Sequence, residues 1–367
     1  MRSCNLLIKK MKQYRLILLL VILFPTVLLC GQTKYYDAAQ FPLIGKITNS
    51  TETRYERLPA YLKNTCRPPV WDLGKNTAGL AIRFRTNSKS ISAKWDLYEN
   101  RYMNHMAATG IKGLDLYAWT KNHWQFVNTG RPTAKMNEQT IIANMTSEER
   151  EYLLFLPLYD GVNSLSIGVD SAATILQPAL SYPETTHPVV CYGTSITQGG
   201  CANRPGMSYS NILTRKFNRE FINLGFSGNG QLDYEIAEVM AKRQDASLFV
   251  LDFIPNVNLQ QIKEKTATFV GILRKENPQT PILLVESVIF PHSYFDQSMH
   301  QVVTEKNKAL REEYQKLKQQ GDKNIHYLSS DNLIGKDGEA TVDGIHLTDL
   351  GFERFSEALY KAIRKIL

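Results

Sequence analysis

Four short segments of the sequence carry the residue types that nucleophilic and acid–base chemistry requires. One segment presents a serine hydroxyl, a second is rich in glycine, a third ends in an asparagine amide, and the fourth places an aspartate three residues before a histidine. In chain order they are residues 193–199 (GTSITQG), 223–230 (NLGFSGNG), 251–256 (LDFIPN) and 343–349 (DGIHLTD). Because each segment is short, its meaning depends on whether the fold brings it near the others.

Asp343 and His346 form the pair with the clearest chemical meaning. A neutral imidazole accepts a serine proton only when its second nitrogen is held by an acceptor, which is usually a carboxylate. The two residues share one short loop, so Asp343 can hold His346 locally, and the helix expected from about Asp349 would anchor that loop. The alternative is an ordinary surface aspartate and histidine ahead of a helix start.

Ser195 follows the apolar run 189–192 and is predicted to lie on a turn at the end of a strand. A glycine-rich turn with a capping serine is the alternative interpretation. A phosphate-binding loop is disfavoured because the segment lacks the lysine of such loops. The Gly-x-Ser-x-Gly elbow of α/β-hydrolases is excluded, since Thr197 occupies the position of its second glycine.

The glycine-rich segment and the asparagine segment could supply hydrogen-bond donors to a developing negative charge. Glycines let backbone N–H groups approach a ligand closely, as an oxyanion site requires. The amide of Asn256 could also donate to an oxyanion. The alternatives are a left-handed turn that opens the next helix and, for Asn256, a turn or helix cap.

From about residue 187 onward, apolar runs alternate with amphipathic helical patterns. Alternating strands and helices of this length predict a parallel sheet with helices on both faces, a three-layer doubly wound α/β domain. Ligands of such sheets bind beyond the carboxyl ends of the strands, where all four segments are expected. The predicted strands are 189–192, 221–224, 248–253, 282–285 and 325–328, and the predicted helices lie near 208–219, 232–242, 259–275, 299–320 and 349–366.

Residues 34–182 have a different pattern, with many short alternating stretches separated by turns. This pattern predicts a β-sandwich, joined to the α/β domain near the polar, proline-bearing stretch 181–188. The predicted strands are 80–84, 90–95, 114–119, 124–127, 140–142, 152–156 and 164–169. Aromatic residues in this part could stack on sugar rings, but core packing is expected for most of them; they are Trp71, Trp95, Tyr102, Trp119 and Trp124.

The first 31 residues read as a signal for export. Basic residues precede an apolar run, 16–29, that is too short for a comfortable membrane span and matches a secretory signal peptide. We therefore expect a periplasmic, cell-surface or secreted protein. Cys30 followed by Gly31 also permits a lipid anchor at Cys30, but Leu29 stands where lipoprotein signals place a small residue, so plain export is preferred.

The charge of the chain does not indicate nucleic-acid binding. The net charge of +8 includes five basic residues in the first 15 positions, and without them it is +3, so nucleic-acid binding is not expected.

The cysteines are few. After removal of a signal, Cys66, Cys191, Cys201 and, depending on the cleavage point, Cys30 remain. This sparse set fits neither a disulfide framework nor a zinc motif. Cys191 lies in a strand-like run and is expected to be a buried thiol.

Together the four segments resemble the sequence blocks of the SGNH/GDSL hydrolase family, in the family's order and over about residues 188–367. The resemblance implies a flavodoxin-like hydrolase domain with Ser195 as nucleophile and Asp343 and His346 completing a triad. It also implies an oxyanion hole formed by the N–H groups of Ser195 and Gly228 and by the Asn256 amide. Thr194 replaces the family's usual aspartate, and FIPNV departs from its usual Gly-x-Asn-Asp.

The first half resembles a module that precedes some bacterial SGNH domains and carries the motif Gly-x-Asp-Leu-Tyr, here residues 113–117 (GLDLY). Such arrangements are similar to exported carbohydrate esterases that remove acetyl or other acyl groups. The expected organisation is therefore a signal peptide (1–31), a jelly-roll-like β-sandwich (32–182) and an SGNH hydrolase domain (183–367). The β-rich part is expected to pack on the hydrolase part and contribute to the substrate cleft.

These features predict an exported serine esterase that deacetylates or deacylates a carbohydrate without a metal or organic cofactor. A lipid-directed esterase or thioesterase and a catalytically silent carbohydrate-binding protein are the alternatives. His292 is the main rival to His346 as the base, because its loop follows the run 282–285 and reaches the same rim. The other histidines of this half are placed in the linker (His187), a helix (His300) and a strand (His326).

Overall fold

A computed structural model describes residues 32–367, so the predicted signal segment, including Cys30, lies outside the described residues. The first half forms two antiparallel sheets. The strands are β1 Thr33–Asp37, β2 Leu43–Ile44, β3 Ala81–Thr86, β4 Ile91–Leu97, β5 Leu114–Thr120, β6 His123–Gly130, β7 Met136–Ile142, β8 Arg150–Phe155, β9 Val162–Asp170 and β10 Ile175–Leu176. The strand orders are β1-β9-β4-β7 and β10-β3-β8-β5-β6, and β2 pairs with β3.

One apolar core contains side chains of both antiparallel sheets. Trp95 of β4 and Ile167 of β9 belong to the same buried cluster as Phe84 of β3 and Leu116 of β5. Trp71, Trp95 and Trp124 are buried, as expected for core residues, whereas Tyr102 is 84% exposed. Two short helices, α1 Pro68–Gly74 and α2 Ala108–Lys112, lie between strands of this half. The sequence pattern does not predict either of them.

The second half contains a five-stranded parallel sheet. Its strands are β11 Glu184–Gly193, β12 Arg219–Gly225, β13 Leu248–Asp252, β14 Ile282–Val285 and β15 Ile325–Leu328. Their order in the sheet is β12-β11-β13-β14-β15. Its helices are α3 Ser195–Gln198, α4 Tyr209–Phe217, α5 Tyr234–Ala241, α6 Leu259–Glu276, α7 Gln297–Gln319 and α8 Asp349–Ile363. Within residues 32–367, none of the helices combines the length and the apolar content that a membrane crossing requires.

Successive residues of the central strand β11 enter different cores. Val190 and Tyr192 pack in a cluster that also contains buried residues of α5, α6 and α7. Val189 and Cys191 pack in another cluster with residues of α4 and α8. This alternation explains why the strand reads as a continuous apolar run, and it confirms that Cys191 is a buried thiol.

The stretch before Val189 differs from the prediction. β11 begins at Glu184, with an irregularity in its pairing to β12 between Glu184 and Val189. His187, expected in a linker, therefore lies within the strand, where its φ of 56° departs from extended geometry. It is at the amino end of β11, away from the carboxyl rim.

Arg57 links the two halves of the chain through buried hydrogen bonds. The side chain is 0% exposed, and its Nη1 donates to the carbonyl oxygens of Asn223 and Gly225 at 3.0 and 2.9 Å. Its other nitrogens donate to the carbonyls of Leu73 and Asn76. The guanidinium thus ties the end of β12, where the glycine-rich segment begins, to the first half.

The Gly-Leu-Asp-Leu-Tyr motif makes a second link between the halves. Asp115 of β5 is fully buried and accepts hydrogen bonds from Arg204 Nη1 at 2.6 Å and from the Gly206 N–H at 2.8 Å. Tyr117 accepts a hydrogen bond from the same Arg204 nitrogen, and the guanidinium of Arg215 lies 4.1 Å from the centre of its ring. The motif therefore fixes the β-rich half against residues 204–215.

Candidate active site

The carboxyl ends of three neighbouring strands bring the predicted segments to one rim. Gly193 of β11 pairs with Gly225 of β12 on one side and with Asp252 of β13 on the other. Ser195 follows as the first residue of α3, and its side chain is only 6% exposed. Thr194, at the position of the family's aspartate, caps this helix because its hydroxyl accepts the Ile196 N–H at 3.2 Å.

Ser195, His346 and Asp343 form one hydrogen-bonded chain. His346 Nε2 lies 3.0 Å from Ser195 Oγ, and His346 Nδ1 lies 2.7 Å from Asp343 Oδ2. The carboxylate fixes the proton on Nδ1, which leaves the Nε2 lone pair directed at the serine hydroxyl. This arrangement can deprotonate Ser195 as it attacks an electrophilic carbon.

The loop that carries Asp343 and His346 is held by its own backbone. Asp343 Oδ1 accepts the N–H groups of Ile345 at 3.0 Å and of His346 at 2.7 Å, and the Val342 N–H donates to the His346 carbonyl at 2.8 Å. Partial burial raises the pKa of Asp343, but hydrogen bonds from the His346 side chain and from these two backbone groups outweigh it and hold the pKa at about 2. Asp343 is therefore ionised throughout the neutral range.

The residues predicted to form an oxyanion site surround the same rim. Gly228 has a φ of +68°, and its N–H donates to no protein atom within the described part of the chain. Asn256 ends a short 3₁₀ turn after β13, and its Oδ1 accepts the Gly230 N–H at 3.1 Å. Because the oxygen end of the amide is engaged, Nδ2 is the end available to a ligand.

Gln198 holds the glycine-rich segment in place next to Ser195. Its Oε1 accepts the Ser227 N–H at 2.9 Å, while its Nε2 donates to Asn76 Oδ1 and to the Leu158 carbonyl. The turn that presents Gly228 is thus fixed by a side chain of α3 and, through it, by the β-rich half. Such bracing keeps the donors in position before a substrate binds.

The other histidines considered as the base do not take the place of His346. His292 Nδ1 donates to the Gly344 carbonyl at 2.8 Å, so it braces the loop of His346 and does not contact Ser195. His300 is exposed on α7, and His326 is half-buried on β15.

One contact of the site is not indicated by any sequence pattern. The His105 ring, from the β-rich half, lies with its centroid 5.6 Å from that of His346.

The role of Asp252 is likewise not indicated by the sequence. Asp252 is buried beneath the rim, and its Oδ2 accepts a hydrogen bond from Thr197 at 3.0 Å. Burial raises the pKa of Asp252 to about 8, and the Thr197 hydroxyl opposes this only in part. Asp252 is therefore largely protonated at neutral pH.

Both halves of the chain are similar to known proteins. The sequence model of the GDSL-like lipase/acylhydrolase family matches residues 186–364, and a model of the N-terminus of SGNH-hydrolase-type esterases (GxDLY) matches residues 33–175. A Bacteroides ovatus protein described as a GDSL-like lipase is 39% identical, with a TM-score of 0.87, over 91% of this chain and 98% of its own. The chain belongs to the GDSL-like lipase/acylhydrolase family. It is a serine hydrolase that acts on ester bonds.

More distant solved structures share the fold. A salicylyl-acyltransferase from a tetracycline biosynthetic pathway is 18% identical, with a TM-score of 0.74, over 91% of this chain and 97% of its own. An acetyl xylan esterase from the rumen bacterium Butyrivibrio proteoclasticus is 10% identical, with a TM-score of 0.55, over 91% of this chain and 98% of its own. None of the curated proteins compared with the chain matches it. The GDSL architecture thus extends over both halves of the chain.

Proposed function

We propose that this GDSL-family protein is an exported esterase that deacylates a carbohydrate through a Ser195–His346–Asp343 triad. The observation that carries the proposal is the unbroken hydrogen-bonded chain from Ser195 Oγ through His346 to Asp343 Oδ2. A nucleophile, a base and an orienting carboxylate in hydrogen-bond contact are what a serine esterase requires.

In the proposed mechanism, Ser195 Oγ attacks the ester carbonyl carbon while His346 Nε2 takes the hydroxyl proton. Asp343 stabilises the imidazolium, and the N–H groups of Ser195 and Gly228 and the Asn256 amide stabilise the oxyanion. The tetrahedral intermediate expels the alcohol, which receives its proton from His346, and an acyl-enzyme remains. Water then attacks the acyl-enzyme with His346 again as base, which releases the acid and restores Ser195.

A carbohydrate substrate is supported by exposed aromatic side chains on the two segments that contact the triad loop. Tyr102, 84% exposed, lies three residues before His105, whose ring is next to His346. Tyr294 and Phe295 are 79% and 84% exposed and follow His292, which bonds the loop at Gly344. Exposed aromatic rings offer apolar faces on which sugar rings can stack, and carbohydrate esterases are among the structural neighbours.

A lipid-directed esterase or thioesterase is the second candidate. A cleft of about 520 Å³ lies beside the segment of His292, and its lining does not include Ser195, His346 or Asp343. Its apolar residues could receive an acyl chain that extends away from the triad: Ile289, Phe290, Leu333 and Ile334. Polar residues of the stretch 330–338 also line this cleft, so both an acyl chain and a sugar would find contacts in it. The silent carbohydrate-binding alternative is set aside because the chain is a serine hydrolase.

The arrangement of layers in each half of the chain and the export of the protein are also inferred. We infer a three-layer doubly wound domain from residue 183 and a β-sandwich over 32–182, supported by the two cores that flank β11 and by the single core that holds both antiparallel sheets. Removal of residues 1–31 on export is supported by the basic and apolar pattern of that segment.

An acyl-length series separates the candidates. The full chain would be assayed with acetylated and longer-chain acylated sugars and with acyl thioesters of matched chain length. The proposal predicts the highest kcat/KM for short acyl groups on sugars. A kcat/KM that rises steadily with acyl length, irrespective of the alcohol, would favour the lipid-directed candidate and contradict the proposal.

A further inference from the structure

A group of potential metal ligands lies beside the proposed catalytic base. One ring nitrogen of His105, one ring nitrogen of His346 and the Cys201 sulfur lie within 4.8 Å of one another. Cys201 Sγ donates a hydrogen bond to the His105 carbonyl at 3.4 Å, so the two residues are already in contact. Imidazole nitrogen and thiolate sulfur are the ligands that zinc and similar borderline-soft cations prefer.

Both imidazole rings have an acceptor oxygen at Nδ1, as zinc-binding histidines usually do. His346 Nδ1 faces Asp343 Oδ2 at 2.7 Å, and His105 Nδ1 faces Asn104 Oδ1 at 2.9 Å. An acceptor oxygen at Nδ1 keeps the ring proton on that nitrogen and leaves the Nε2 lone pair for a cation. A carboxylate or another oxygen acceptor behind the ring is the usual partner of a metal-binding histidine.

We propose that His105, Cys201 and His346 bind Zn²⁺ or a similar divalent cation, and that the bound cation inhibits the esterase reversibly. A tetrahedral zinc centre with bond lengths of about 2.0–2.3 Å separates its ligand atoms by about 3.5 Å. The three atoms therefore need to approach one another by about 1 Å, which side-chain rotation can supply. The Cys201 thiol releases its proton to solvent when the cation binds, and water takes the fourth position.

Inhibition follows from the lone pair that the cation uses. His346 Nε2 can either accept the Ser195 proton or coordinate a cation, so occupation of the site removes the base. This part of the inference rests on the proposed function, whereas cation binding by the three side chains does not. His105 comes from the β-rich half and Cys201 from the hydrolase half, so the site requires both parts of the chain.

The binding test uses Co²⁺, whose thiolate complexes have a sulfur-to-metal absorption band. Titration of the full chain should give a saturating band that Cys201→Ser abolishes. His105→Ala should weaken binding by about tenfold or more, and so should Asn104→Ala, which changes only an exposed side chain behind the His105 ring. His123→Ala, at an exposed histidine in another part of the chain, is the matched control and should change nothing.

Zn²⁺ inhibition of ester hydrolysis should follow the same ranking, with the half-inhibiting concentration raised about tenfold or more in His105→Ala and Asn104→Ala. A missing cobalt band, or equal Zn²⁺ inhibition of the wild-type chain and of these variants, would overturn the site. A cobalt band in a chain that hydrolyses no ester would instead contradict the proposed function and leave the cation site supported.

Discussion

Asn256 Oδ1 accepts the backbone N–H of Gly230 at 3.1 Å, which leaves the Nδ2 end of the amide available to the substrate. If Nδ2 stabilises the oxyanion, Asn256→Ala should lower kcat by about 10²–10³-fold with little change in KM, since the donor acts mainly in the transition state. Asn256→Asp is the matched variant, because it keeps the acceptor for Gly230 and loses the donor. Steady-state kinetics should show both variants impaired in kcat, and a change confined to KM would mean that Asn256 binds substrate instead.

Asp343 orients the His346 ring, so its loss should slow the reaction without abolishing the fold. Asp343→Asn should lower kcat by about 10⁴-fold because an amide no longer fixes the Nδ1 proton or stabilises the imidazolium. Asp245→Asn, at a surface aspartate paired with Arg243 near the amino end of β13, is the control and should retain activity. Wild-type rates for Asp343→Asn would remove the carboxylate from the mechanism.

Asp252 should make stability fall as the pH rises. Its pKa of about 8 in the folded protein lies above the value of about 3.9 in an unfolded chain, so between these values the folded state binds more protons than the unfolded state. Stability from this group is therefore greatest below about pH 4 and declines towards pH 8. Asp252→Asn should remove the decline, so its gain in Tm over the wild type should grow from pH 5 to pH 8. A Tm difference that does not vary with pH would contradict the assignment.

The buried ion pair of Asp115 and Arg204 should contribute much more to the free energy of unfolding than an exposed ion pair does. Arg204→Ala leaves the fully buried Asp115 carboxylate without its cation, so unfolding free energy should fall by about 3–5 kcal/mol. Arg354→Ala breaks a more exposed pair with Asp337 and should lower the unfolding free energy far less. Urea unfolding of both variants gives the comparison, and equal losses would contradict the prediction that the buried pair contributes more to stability.

The strands and helices with a strong apolar periodicity could be predicted from the sequence. The site residues could also be predicted, because they follow apolar strands or share one loop. All five predicted parallel strands are present. The start of β11 at Glu184 was missed because a polar stretch with Pro188 reads as a linker, although pairing with β12 extends it.

Two contacts between the halves of the chain, made by His105 and by Arg57, are not indicated by the sequence. His105 belongs to no motif and reaches His346 only because the β-rich half packs on the hydrolase half. Arg57 likewise looks like an ordinary surface arginine until the fold buries it among the carbonyl groups of both halves. Such contacts depend on tertiary structure, so no local pattern indicates them.

Turnover of a small activated acetyl ester by Ser195→Ala decides whether Ser195 is the nucleophile. The Ser195 side chain is small and bonded to His346, so the variant should fold with an unchanged Tm. We expect kcat to fall by about 10⁶-fold, which places turnover below detection. Hydrolysis at the wild-type rate by the folded variant would exclude Ser195 as the nucleophile.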